Sequence, residues 1–159
     1  MSRTHVTRSA LPANSLLHAR IRSGDFLDCF SVASDLPPRQ AADSITDFPG
    51  WAKALVRLRG VLVAPFGLEK TGPEAPNKVG LFPVEHEGKT ELIAGFNDRH
   101  LDFRVSVISE AGRVSLATWV HRHNLGGRLY LAAILPFHIL IARNALVRVS
   151  RAGGASSLR

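Results

Sequence analysis

Cysteine is almost missing from this chain of 159 residues: Cys29 is the single one. One thiol cannot close an intrachain disulfide, and its isolation suits a reducing compartment, so a cytoplasmic location is expected. Cys29 lies in FLDCFSV, a strand-like run where a small buried hydrophobe is the expected role. The N-terminal residues MSRTHVTRSALPANS lack the apolar core of a secretory signal. The most apolar run, residues 129–142, is about 14 residues long and contains Pro136 and His138. A spanning helix needs roughly 20, so this stretch reads as a core helix first and a membrane-surface helix second, with no membrane span expected. Also missing are G-x-S-x-G, a glycine-rich phosphate loop and H-E-x-x-H, and with them the commonest sequence signs of hydrolase, nucleotide and zinc-protease chemistry.

Acid is missing from both ends. Residues 1–22 carry Arg3, Arg8, Arg20 and Arg22, and residues 143–159 carry Arg143, Arg148, Arg151 and Arg159, with no Asp or Glu in either segment. The formal charge of +7 therefore comes from the termini, because the middle holds 12 basic against 13 acidic residues. A nucleic-acid reader concentrates its cations on one folded face, so no specific nucleic-acid partner is expected. Charged ends suit solubility, anionic surfaces or weak non-specific contacts.

What is present is an ordinary globular composition, 45% hydrophobic and 21% charged, at a length that fits one domain. The expected organisation is a flexible tail over residues 1–10, a single domain over 11–150 and a disordered tail over 151–159. Asn14 and Ser15 are helix-capping types before a short helix over residues 15–22. DFLDCFSVAS reads as the first strand, and Pro37-Pro38 opens a helical region. Asp47 and Pro49 cap and start a helix near Trp51, whose Trp51, Leu55, Leu58 and Leu62 make an inward face, while Lys53 and Arg57 stay wet. Gly67 is expected to end that helix, and residues 72–77 to form a loop. LFPVEH and ELIAGF flank a turn at Glu87-Gly88-Lys89, and LDFRVSVIS and RVSLATWVHRH flank one at Ala111-Gly112. Residues 126–149 close the chain as a long helix that Pro136 is expected to kink or divide. This order predicts an α+β fold, an antiparallel sheet with helices on one face.

The last hairpin carries the most information. Leu101, Phe103, Val105 and Val107 alternate with Asp102, Arg104 and Ser106, and Val114, Leu116 and Val120 are the apolar set of the partner strand. Keeping both apolar sets on one side pairs residues whose numbers sum to 223, so Phe103 faces Val120, Arg104 faces Trp119 and Asp102 faces His121. The second face then carries Asp98, His100, Asp102, Arg104, Trp119, His121 and His123. The preferred reading is a solvated surface on which Asp102 pairs with His121 and Arg104 lies over Trp119. The sharper readings are an acid–base site, with Asp102, His121 and Arg104 as catalytic candidates, or a divalent metal site. No metal and no cofactor is assigned. His138, apolar on every side, reads as a hydrogen-bonded core histidine, and Asn124 before Gly126-Gly127 as a helix cap.

These segments resemble a bacterial family known only as domain of unknown function twenty-eight sixty-seven. The resemblance covers about residues 11–148. It rests on DFLDCFSV (25–32), WAKALVRLRGVLVAPFGL (51–68), LFPV (81–84), NDRHLDFRVSV (97–107) and HRHNLGGRLYLAAILPFHILI (121–141). That family is similar to the helix-grip superfamily of START-like and polyketide-cyclase-like proteins, in which a curved sheet wraps a C-terminal helix. Relatives occur fused behind NAD(P)-binding domains, but this chain has no glycine fingerprint, so no cofactor role is implied. The resemblance implies a helix-grip domain that binds a small apolar or amphipathic molecule between sheet and last helix. Phe103, Val105, Val120, Leu131 and Leu135 would form its wall and His138 its polar handle. Two alternatives stay open: an enzyme using the Asp/His/Arg cluster, and an interaction module that partners an NAD(P)-binding oxidoreductase or its own copy. Gly126-Gly127 is expected to loosen the start of the last helix.

Overall fold

Alternating side chains decide which side of each strand is dry, and here they build one antiparallel sheet with helices packed on one face. The structure, a computed structural model, describes residues 4–63 and 74–156. Among these the elements run β1 (Thr7–Arg8), a short 3₁₀ helix (Leu16–Arg20), β2 (Phe26–Ala33), α1 (Pro38–Thr46), α2 (Gly50–Val63), β3 (Lys78–Val79), β4 (Phe82–Glu87), β5 (Glu91–Asn97), β6 (Leu101–Glu110), β7 (Arg113–Arg122) and α3 (Leu125–Ser156). The sheet order is β1-β2-β7-β6-β5-β4-β3, with every neighbouring pair antiparallel. This is the helix-grip arrangement: an antiparallel sheet with a long C-terminal helix packed across it.

The β6–β7 register is the one that alternation dictates. Asp102 pairs with His121, Phe103 with Val120, Arg104 with Trp119 and Val107 with Leu116. The turn is two residues long, with Ala111 at φ 50° and Gly112 at φ 73°, the left-handed pair that a tight hairpin matched to strand twist requires. On the helix side Val107, Val114 and Leu116 join Phe30, Val32, Leu92 and Ala94 in the main core. Helix α3 adds Ala145, Leu146 and Val149, all fully buried. Burial of each Leu or Val there stabilises by about 1.5–3 kcal/mol.

Several expectations change. The segment before residue 11 is not a loose tail, because β1 pairs with β2 and Val6 is buried in the main core. Helix α3 passes Ser150 and continues to Ser156, so residues 151–156 are helical. A Cβ added at Gly153 would lie 2.3 Å from Ser34 Oγ, so glycine there lets the last turns press on the chain after β2. Pro136 does not divide α3; it sits on the exposed side, where water can serve the carbonyl it leaves unbonded. Helix α2 is rotated from its expected face: Ala52, Leu55 and Val56 turn inward, while Trp51 and Leu58 are exposed. The Leu62 side chain and Gly67 lie outside the described residues, as do the first two positions of the loop over 72–77.

Gly127 is needed for a close approach. A Cβ there would stand 2.2 Å from the His100 carbonyl oxygen, so the pair Gly126-Gly127 seats the start of α3 rather than loosening it. Asn124 caps the helix as expected, its side-chain oxygen accepting from Gly127 N at 3.0 Å.

Candidate functional site

Only the end of the hairpin's second face away from its turn meets solvent: Asp98, His100, Asp102 and His121 are half-buried and His123 is exposed, while Arg104 and Trp119 are buried and the rest of the face is dry. The N-terminal segment and the 3₁₀ helix cover it. Leu17 is fully buried in a small cluster with Cys29, Ala117 and Trp119, and Leu11, Ile21 and Leu27 pack against them. The anchor of this cover is Glu91 on β5. Its carboxylate accepts from Ser15 Oγ at 2.6 Å, Ser106 Oγ at 2.5 Å and the Leu16 amide at 2.9 Å. Buried carboxylates need such donors, and here they tie residues far apart in sequence to the sheet. Ser15 also caps the 3₁₀ helix, accepting from Leu17 N at 3.1 Å. Burial holds the Cys29 thiol above its ordinary pKa, which fits an inert core cysteine.

The three catalytic candidates are drawn into three separate contacts. Asp102 lies opposite His121 in the ladder, yet its carboxylate meets His123 Nε2 at 2.9 Å. His121 instead meets Asp25 across the neighbouring strand, Nδ1 to Oδ1 at 2.6 Å, and Trp119 Nε1 donates to the other oxygen of Asp25 at 2.8 Å. Burial alone raises the Asp25 pKa, but hydrogen bonds from His121, the Arg22 amide and Trp119 outweigh it and hold the carboxyl below the ordinary carboxylate range. Arg104 is buried and turns from Trp119 toward Glu85 on β4, which Arg20 also reaches. His100 bonds the Asn124 side chain. Among the described residues no group of three or more His, Cys, Asp or Glu stands as a metal-ligand set. The expected Asp102–His121 pair is therefore replaced by Asp25–His121 and Asp102–His123, because Asp25, the residue just before β2, comes in on the side of β7 away from β6.

The other face of the sheet holds a cavity of about 130 Å³ between the strands and helices α1 and α3. Ile45, Phe48, Leu92, Val105, Leu116 and Ala145 are among its walls, and Thr46, Thr118 and His138 are its polar lining residues. His138 reaches past this lining to Asp28 on β2, Nε2 to Oδ2 at 3.1 Å. The Asp28 side chain is 2% exposed. It sits on the helix face of β2, opposite Thr118, and the Phe26 ring stands edge-on to His138 with centroids 6.4 Å apart. An ionised carboxylate only accepts hydrogen bonds, so the Asp28 contact assigns the proton to Nε2 and orients the imidazole.

Of the residues predicted for a ligand wall, Val105 and His138 line this cavity. Val120 and Leu131 instead pack with Leu101, Phe26, Phe103 and Tyr130 in a neighbouring cluster. Phe103 is further held edge-to-face by Phe96 and Phe82, with centroids 4.7 and 5.5 Å away. Leu135 is half-buried on α3. Asp28 was missed by sequence reasoning, although its position shares one strand face with Phe26, Phe30 and Val32. An acid inside an apolar strand face is itself the sign of a buried partner.

Fold and cavity together define a class: a helix-grip α+β domain with an apolar hollow between sheet and helix, and on its wall a half-buried histidine held from behind by a buried aspartate. Residues 20–145 match a family described as "Protein of unknown function (DUF2867)", and the chain belongs to that family. No curated protein and no solved structure matches it.

Proposed function

We propose that the domain binds a small, mostly apolar molecule bearing one hydrogen-bonding group, held between the sheet and helices α1 and α3. The observation that carries this reading is the hollow itself, apolar but for Thr46, Thr118 and a histidine whose ring is oriented by a buried carboxylate. Ligand sites are commonly of this kind, apolar walls with a few convergent polar groups. The volume suits a molecule about the size of one aromatic ring. A hydroxyl on that ring would meet His138 or Thr118, a carbonyl would meet the Thr118 hydroxyl, and the rest would lie against Val105, Leu92 and Leu116.

Native mass spectrometry of protein purified gently from its own host tests the reading. A retained adduct of low mass, released on unfolding and absent from a Val105→Trp variant, is expected. Protein that carries no adduct and takes up no small aromatic probe would overturn it.

A further inference from the structure

Helix α3 is apolar on two opposite sides, and the sheet uses only one. Leu131, Ala142, Ala145, Leu146 and Val149 face the core. Leu125, Leu129, Ala132, Pro136, Phe137 and Leu140 are all exposed. At 3.6 residues per turn these six positions fall within an arc of about 140°. They form one continuous bare stripe along the first half of the helix. Leu125 is 68% and Leu129 63% exposed. The helix is long and apolar enough to cross a membrane by length and composition, yet only 17% of its most apolar stretch is buried. Helix α2 repeats the pattern, with Trp51, Ala54, Leu58 and Val61 exposed at helical spacing and Val61 at 70%. The two helices meet where the Arg59 guanidinium lies 5.3 Å from the Tyr130 ring centroid. Together the stripes expose on the order of several hundred Å² of apolar surface, a size that marks an interaction site.

Charge selects the occupant. Helix α2 carries Lys53, Arg57 and Arg59, helix α3 carries Arg128, Arg143, Arg148 and Arg151, and neither contains an Asp or Glu. Lys53, Arg57 and Arg128 are exposed, whereas Asp102, near the start of α3, is engaged by His123. A second copy would set cations against cations. Apolar stripes with exposed Trp, Phe and Leu, flanked by Lys and Arg, suit the headgroup boundary of an anionic bilayer.

We infer that the bare faces of α2 and α3 dock this domain on the surface of a membrane containing anionic lipid, without spanning it. Sedimentation with vesicles of phosphatidylcholine alone, and with phosphatidylglycerol added, tests this. The protein is expected to pellet with the anionic vesicles, less as salt rises, and to stay in solution with the neutral ones. Trp51 emission should shift to the blue on binding, since the other tryptophan, Trp119, is already buried. Leu129→Glu, at an exposed position, should abolish pelleting while leaving the melting temperature unchanged. Lys53→Gln with Arg57→Gln should lower the partition coefficient about thirtyfold. Three results would each overturn the proposal: no binding to either vesicle, equal binding to both, or a dimer in solution that Leu129→Glu converts to monomer. The last would make this face an interface between copies.

Discussion

Replacing His138 by leucine separates an oriented buried pair from an incidental contact. The Asp28 side chain is 2% exposed, and the His138 ring meets both its carboxylate oxygens, at 3.1 and 3.4 Å. Leucine keeps the volume and removes the donor, leaving a carboxylate among Phe26, Thr118 and the cavity wall. Breaking a buried pair from one side costs about 3–5 kcal/mol, and the lower end applies because His138 is itself 24% exposed. For a chain of this size about 3 kcal/mol lowers the melting temperature by roughly 6–12 °C. Removing both partners, as Asp28→Leu with His138→Leu, should recover most of that loss, because two apolar groups of similar volume leave no charge unpaired. Urea and thermal unfolding followed by circular dichroism give all three values. If His138→Leu costs under about 1 kcal/mol, or if the two single losses simply add, the pair does not hold the wall as described.

The Asp25 carboxyl lies below the ordinary carboxylate range when folded, so its contribution to stability is present above the unfolded value and is lost as pH falls through the folded one. The gap in melting temperature between parent and Asp25→Asn should hold at neutral pH and close on acidification below about pH 4; a gap independent of pH would exclude the Asp25 network as its source. Gly127→Ala should destabilise by about 1–3 kcal/mol in urea unfolding, because the new methyl meets the His100 carbonyl, while an unchanged midpoint would mean that the start of α3 shifts freely.

The hairpin was legible in the sequence because its information is local. Alternation from Leu101 to Val107 and from Val114 to Val120, with a two-residue turn between them, leaves one register that keeps both apolar sets dry. The caps at Ser15 and Asn124 were legible for the same reason. The cover over the second face was not, since it depends on Leu17 meeting Trp119 and on Glu91 receiving Ser15 and Leu16, contacts between distant segments that no short pattern encodes. Asp25 and Asp102 offer the same chemistry to neighbouring histidines, and only the placement of β2 beside β7 decides which takes which. The rotation of α2 was misread because Trp51 and Leu58 look like core residues by type, although Ala52, Leu55 and Val56 make the inward face. His138 was visible as a core histidine, but the cavity beside it is a property of packing between α1, α3 and the sheet.

The central claim is that the hollow beside His138 receives a ligand, and titration of isotope-labelled protein with phenol and with benzene, read by NMR, tests it most directly. Saturable shifts are predicted at Leu92, Leu116 and Ala145, with phenol bound more tightly than benzene because its hydroxyl meets a polar group on the wall. Val105→Trp should abolish the shifts for both probes while the protein stays folded. Shifts that never saturate, or that persist unchanged in Val105→Trp, would contradict the account.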